Sequence, residues 1–598
     1  MAVLDTLVAV IPLLGVLIVV HELGHFLVAK ACGVRVLKFS VGFGSPIGFG
    51  RMRLRWERNG TEYVIGWIPL GGFVRMLGEP MPGDDPGAMA IPEDARPEEY
   101  LEARPVWQKL AVVFAGPAMN LVLPIVCFVG ILWVGFPWPD AVVGTVEQNS
   151  PAAHAGVEVG DRIVRLDGEA VTWWDEVILP IQQRVEGGSV ALEIERAGEQ
   201  LILDVPVERQ KTRDRYGAVV DSGWIGVAHG RLAALLGVPD AESPAWSAGL
   251  RSGDLVTAVG DAEAEDWERF VALQAEASAA ARRRGESELV WQIERLPTAI
   301  EPPPALLEDE TRGQAPASPP EPLPEPESIA ISVPAESDLS ALGIVPATIL
   351  VGYVAPDRPA AAAGLLAGDL VLAVDGEPIG SFESFVSRVQ TSGGRPLAIT
   401  FSRAGRVETT EVRAREETVA GPYDIEGMEE KKYQIGLVAQ VSTLAGARGV
   451  QQVRNPLVAV PRAVEMTWQM TVEYLEGLGK LFTGEVGTDK LSGPIGIARI
   501  ARKSLDRGWL DYLWMMMLIS INLGILNLLP IPILDGGQAV IYSIEGIKRS
   551  PLSMRAREVA SSIGFAVLVL LMGRAFWNDL TPFWTRFVSW LSSGAGPQ

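Results

Sequence analysis

The sequence is poor in the residues that most often announce a chemistry. It has two cysteines, Cys32 and Cys127, which excludes a disulfide framework and any cysteine-rich zinc site. It has no basic surplus. The formal charge is −22, whereas a nucleic-acid binder needs a cationic face to neutralise phosphates, so no nucleic-acid partner is expected. Histidine is nearly as scarce as cysteine: His21, His25, His154 and His229 are all there are, and two of the four stand four residues apart. What is plentiful is apolar surface. Hydrophobic residues make up 48% of the chain and the mean hydropathy is +0.21, so membrane segments are expected.

Residues 6–31 form an apolar run long enough to cross a bilayer as a helix at 1.5 Å per residue. It lacks the charged start and small-residue cleavage site of a signal peptide and reads as retained. Further spans are expected near 109–136, 511–529 and 559–577. Orientation follows Lys and Arg in short loops. The 32–108 connection carries Arg35, Lys38, Arg51, Arg53, Arg55, Arg58 and Arg75, and the 530–558 connection carries Lys548, Arg549, Arg555 and Arg557. Both are expected on the cytoplasmic side, with both termini and the long 137–505 segment outside.

The acid excess sits in that outer segment. Residues 1–136 carry 11 Lys and Arg against 12 Asp and Glu, residues 506–598 carry 7 against 6, and residues 137–505 carry 33 against 55. Within the acidic block a pattern repeats three times: SPAAHAGVEVGDRIVRLDGEAV from Ser150, SPAWSAGLRSGDLVTAVGDAEA from Ser243, and RPAAAAGLLAGDLVLAVDGEPI from Arg358. Each copy reads as a short helix from a Pro-Ala pair, a Gly suited to a helix C-cap, a Gly-Asp turn, an alternating strand and a helix. Residues 297–326 hold 10 of the 43 prolines and read as an extended linker. Residues 456–483 have the pattern of an amphipathic helix, expected on the outer membrane interface or packed on a domain.

The chemistry is carried by His21-Glu22-Leu23-Gly24-His25, an HExxH motif. On a helix, positions i and i+4 share a face, so two imidazoles can hold one metal. Glu22 then falls where a general base for bound water belongs, and zinc suits such a site because it lowers the pKa of its water to about 7. An ionisable trio in a membrane helix is costly, roughly 2.5–3.5 kcal/mol for a central acid on insertion scales, which argues against an idle role. A third protein ligand is required. His154 and His229 fall in the outer block, and Cys127 is more often packing than ligand. Asp535, in Asn527-Leu-Leu-Pro-Ile-Pro-Ile-Leu-Asp-Gly-Gly537, is the better candidate, because spans one and three run in the same direction and bring it to the depth of HExxH.

HExxH in a first span with NxxPxxxLDGG in a late one resembles the site-2 protease family of intramembrane zinc metalloproteases. Val41-Gly42-Phe43-Gly44, Pro69–Met76, Gly116-Pro117-Ala118-Met119-Asn120 and Ser492-Gly493-Pro494-Ile495 point to its bacterial RseP-type branch. The three repeats resemble PDZ domains, one more than the branch leads one to expect, and Gln538 stands where His is expected. The resemblance implies zinc on His21, His25 and Asp535, water activation by Glu22, and Asn527 holding substrate backbone or the oxyanion. It implies a membrane-associated β segment over 71–79, including Gly71, Gly72 and Phe73, that pairs with unwound substrate, and Asn120 lining the site. Gly116 and Pro117 fit a close helix contact and a kink.

The expected fold is a polytopic α-helical membrane protein, with four transmembrane helices and a membrane-associated β segment, plus α+β PDZ-like periplasmic domains. The expected divisions are 1–136 (two spans with HExxH), 141–218, 222–298 (degenerate) and 341–440 (PDZ-like), 299–340 (linker), 456–505 (amphipathic helix region) and 506–598 (two spans with LDG). The expected function is intramembrane cleavage of single-span proteins such as anti-sigma factors in the bacterial inner membrane, with remnant signal peptides as a second substrate class. Peptides or substrate outer domains are the expected partners of the PDZ-like modules. The alternative is a membrane-anchored PDZ scaffold with a vestigial zinc site.

Overall fold

The computed structural model describes residues 2–48, 53–77, 94–213, 219–300, 326–336, 338–419, 430–440, 443–484, 492–550 and 552–592. Among them the chain forms two compact units, one from the N-terminal part through Phe136 together with the part from Gln452 onward, the other between Pro137 and Gln451.

The first unit contains α1 (Ala2–Ala31), β1 (Val36–Pro46), β2 (Arg55–Arg58), β3 (Thr61–Met76), α2 (Val106–Val134), α3 (Pro456–Thr483), α4 (Pro494–Arg507), α5 (Trp509–Asn527), α6 (Asp535–Lys548) and α7 (Met554–Ser592). Four helices are long and apolar enough to cross a membrane, over Asp5–Ala31, Val106–Val134, Trp509–Asn527 and Arg555–Thr581. Helices satisfy their own backbone groups, so they can carry apolar side chains into lipid without leaving bare N–H or C=O. The chain is a polytopic membrane protein.

Small residues set how closely these helices approach. A Cβ on Gly24 of α1 would lie 2.2 Å from the Ala115 carbonyl oxygen of α2. Ala9, Leu13 and Leu17 of α1 bury against Ala501 of α4 and Met515 and Met516 of α5. Phe128 and Ile131 of α2 bury with Ala463 of α3 and Met517 of α5. The expected amphipathic helix is therefore α3, and it packs along α2 and α5, with Tyr474 donating to Asn522 Oδ1.

β3 folds back on itself around β1. Glu62 and Arg75 both stand opposite Lys38, and Val64 and Phe73 both stand opposite Ser40. β1 thus has a partner on each side, and the stretch Gly72–Met76 is the outer strand, beside α1. Of the expected β segment 71–79, the residues through Met76 are strand, and 78 and 79 lie outside the described residues.

The second unit holds three α+β modules, each with its own apolar core. Each has a four-stranded antiparallel sheet and one longer helix, at Trp174–Gln183, Trp267–Arg284 and Phe382–Thr391. The repeated Gly-Asp turn has a shared purpose. Asp161, Asp254 and Asp369, each 1% exposed, take paired hydrogen bonds from Arg196, Arg295 and Arg403. Each also accepts the backbone N–H of the residue three before it, so all three turns are locked alike.

The module boundaries expected from sequence need correction. Residues 299–340 are not a linker throughout: Glu327–Pro334 is a strand paired along its length with Glu288–Arg295, and Ile331, Val333, Leu339, Leu342 and Ile344 sit in the second module's core. Proline density masked the alternating Ile329, Ile331 and Val333 just beyond it. Residues 301–325 lie outside the described residues. The first module likewise extends past 218, since Ile225 belongs to its core. Each module closes on an apolar-Gly-apolar segment whose first carbonyl accepts from the alanine of the repeat's Pro-Ala pair: Ile225 from Ala152, Leu342 from Ala245 and Ile435 from Ala360. The glycines between, Gly226, Gly343 and Gly436, have φ of 84°, 77° and 77°, a left-handed conformation that favours glycine.

Candidate metal centre and active site

The HExxH motif lies in the C-terminal half of α1, where one helical face carries both imidazoles. Asp535 arrives by a different route. After α5 ends at Asn527, Pro530 and Pro532 offer no N–H to continue a helix, and the chain turns before restarting at Asp535. The turn is tight. A Cβ on Gly536 would lie 2.2 Å from the Leu528 carbonyl oxygen, and one on Gly537 would lie 2.1 Å from that of Ile531, so both positions require glycine. Gln538 supports it by donating Nε2–H to the Pro532 carbonyl at 3.2 Å, a contact that gives this residue a local reason to be there.

The three side chains converge. His21 Nε2 is 3.2 Å from Asp535 Oδ2, His25 Nε2 is 3.6 Å from Asp535 Oδ1, and the two Nε2 atoms are 3.3 Å apart. Among the described residues, this is the group of three or more His, Cys, Asp or Glu whose donor atoms, all within 4.8 Å of one another, could hold a metal ion. Two imidazole nitrogens and one carboxylate oxygen facing a common point fit catalytic zinc, which keeps its fourth position for water.

A stripe of α2 backs the trio. Val112, Gly116 and Asn120 recur every four residues and so share a face. The Val112 carbonyl accepts from His25 Nδ1 at 2.8 Å, Asn120 Nδ2 is 3.1 Å from His21 Nδ1, and a Cβ on Gly116 would lie 2.2 Å from His25 Nε2. From the other side, a Cβ on Gly72 would lie 3.2 Å from Glu22 Cγ. The outer strand of the small sheet therefore runs directly past Glu22.

The other expected residues fall as follows. Gly71, at φ 137°, passes the Phe43 ring, and Phe73 stacks on Phe43 with ring centroids 6.3 Å apart. Asn527 is half-buried at the end of α5. Asn120 is fully buried behind His21. Cys127 packs among apolar side chains, and His229 belongs to the second unit, with Nε2 2.7 Å from the Ala447 carbonyl. Sequence reasoning missed that Gly116 and Val112 touch the histidines and that Gly72 touches Glu22. The four-residue spacing back from Asn120 through Gly116 was the available signal.

Comparison with known proteins agrees. The profile of Peptidase family M50 matches residues 9–571. Regulator of sigma-E protease RseP from Salmonella typhimurium strain 14028s is 30% identical, covering 97% of this chain and 99% of that protein. The protein of the same name from Escherichia coli K12 is also 30% identical, over 96% of this chain and 98% of its own length. A relative from Neisseria meningitidis serogroup A, 28% identical over 97% of this chain, carries zinc metalloprotease in its name. A family match along nearly the whole chain, with relatives named as zinc metalloproteases, means that this chain is a zinc metalloprotease belonging to peptidase family M50.

Proposed function

We propose that the chain cuts transmembrane segments of single-span proteins, with His21, His25 and Asp535 holding zinc and Glu22 taking the proton of the attacking water. The observation that carries this reading is the meeting of a three-donor cluster with an outer β strand beside Glu22, within helices suited to a bilayer. A peptide bond in a membrane helix is shielded by its own hydrogen bonds. Once unwound, its N–H and C=O groups need partners in an apolar medium. The edge at Gly71, Gly72 and Phe73 offers them by strand addition, and Asn527 is assigned to hold the same backbone or the oxyanion. Bound zinc supplies Lewis acidity and a water of lowered pKa. The side chains of this chain orient that water and accept its proton.

The relatives named as regulators of sigma-E protease support anti-sigma-factor-like substrates and a place in envelope stress signalling. The Lys and Arg distribution supports an inner-membrane orientation with the site toward the cytoplasm and the three modules in the periplasm. These modules read as PDZ-like domains that contact peptides or substrate outer domains and restrict access to the site.

The test uses full-length protein in proteoliposomes with a single-span substrate. Wild type is expected to cut within the span. Glu22→Gln is expected to retain zinc and lose on the order of 10²–10⁴ in rate, as for a general base. Equal cutting by the two proteins refutes the assignment.

A further inference from the structure

The second helix fixes the two histidines in different ways. His25 Nδ1 faces the Val112 carbonyl at 2.8 Å. A carbonyl only accepts, so this nitrogen carries the proton and Nε2 is left with a free lone pair. His21 Nδ1 faces the Asn120 carboxamide, a group that can donate or accept depending on which end it presents. Its Nδ2 lies 3.1 Å from His21 Nδ1, while its Oδ1 is buried with no hydrogen-bond partner. Nδ2 as donor goes with a His21 proton on Nε2, directed at Asp535 Oδ2, 3.2 Å away. A half-turn of the amide reverses both: Oδ1 accepts the Nδ1 proton, and Nε2 presents its lone pair toward His25 and Asp535. Only the second arrangement makes His21 a metal ligand.

We propose that Asn120 is a positioning residue for the metal, its Oδ1 accepting the Nδ1 proton of His21 and so holding that imidazole as an Nε2 ligand. The position of Asn120 is itself secured. Ser520 Oγ of α5 donates to the Asn120 carbonyl at 2.7 Å, and the space at Gly524 closes on Asn120 Cβ. At 0% exposure the side chain is closed off from solvent and meets His21. The inference rests on the zinc reading above.

Zinc affinity of the purified full-length protein, measured by competition with a chromophoric chelator, tests it without reference to turnover. Asn120→Leu is expected to bind zinc about 10–100-fold more weakly, the usual effect of losing a hydrogen-bond partner behind a metal-bound histidine. Asn120→Asp, which keeps the shape and supplies only acceptors, is expected to bind no more weakly than wild type. The zinc-induced rise in melting temperature is expected to shrink for Asn120→Leu and persist for Asn120→Asp, which separates lost affinity from lost fold. Wild-type affinity in Asn120→Leu, or equal loss in both variants, overturns the proposal. A wild-type protein that binds no zinc overturns the metal-centre reading instead.

Discussion

Gly116→Ala is a small change with a large expected consequence. The added methyl would stand 2.2 Å from His25 Nε2 and 2.8 Å from His21 Nε2. Ordinary contact is about 3.5 Å or more, so the overlap with His25 is roughly 1.3 Å. The ring has little room to yield, since Nδ1 is tied to the Val112 carbonyl and its other flank meets Asp535. Overpacking of this kind costs about 1–3 kcal/mol. Here it opposes the geometry in which three donors share one point, and at 1.4 kcal/mol per tenfold zinc affinity is expected to fall roughly 5–150-fold. The assay is chelator competition on purified protein, with proteolysis measured at saturating zinc. Gly130→Ala is the control: it lies on the same helix, its Cβ meets nothing within 4 Å, and neither quantity is expected to change. Wild-type zinc affinity and turnover in Gly116→Ala would refute the claim that this glycine makes room for the ligands.

Asp535→Ala removes one of three donors and is expected to leave purified protein without stoichiometric zinc, read by elemental analysis. Retained zinc would mean that another ligand completes the site. Asp254→Ala, which leaves Arg295 and the Arg251 N–H without their acceptor, is expected to destabilise the second unit by about 3 kcal/mol, read as a lower denaturation midpoint. A pH dependence is expected at Asp375. Burial pushes its carboxyl up, but the Ala398 N–H and the Arg395 guanidinium outweigh this and hold it below its ordinary 3.8. A depressed acid stabilises above its unfolded pKa, and that contribution fades as pH falls through the folded value. The difference in melting temperature between wild type and Arg395→Ala is therefore expected to be constant above about pH 5 and to narrow below pH 4. A gap that does not narrow contradicts the pairing.

Much of the site could be read along the chain because its geometry is local. The spacing of His21 and His25 on a helix dictates a shared face whatever surrounds it, and long apolar runs dictate membrane helices because backbone polar groups in lipid must be paired internally. Asp535 was reachable by a topological argument, since parallel spans return to the same depth. The repeats declared three modules, but their edges were misjudged. A strand's membership depends on the partner it pairs with, and Glu327–Pro334 finds that partner across a proline-rich insertion that a composition window cannot see past.

The sequence by itself determined the number of spans, the placement of two histidines and a glutamate together on the first of them, and the separation of a nearly neutral membrane part from an acidic central block. Only the tertiary structure decided that α2 backs His21 and His25 with Val112, Gly116 and Asn120, that Gly72 brings an edge strand against Glu22, and that each module of the second unit closes on a later glycine. The reason is physical. Periodicity and hydropathy report what a residue does relative to its own helix or strand. The amide that faces His21 Nδ1 belongs to a residue 99 positions away, and only the packing of one helix on another brings the two together.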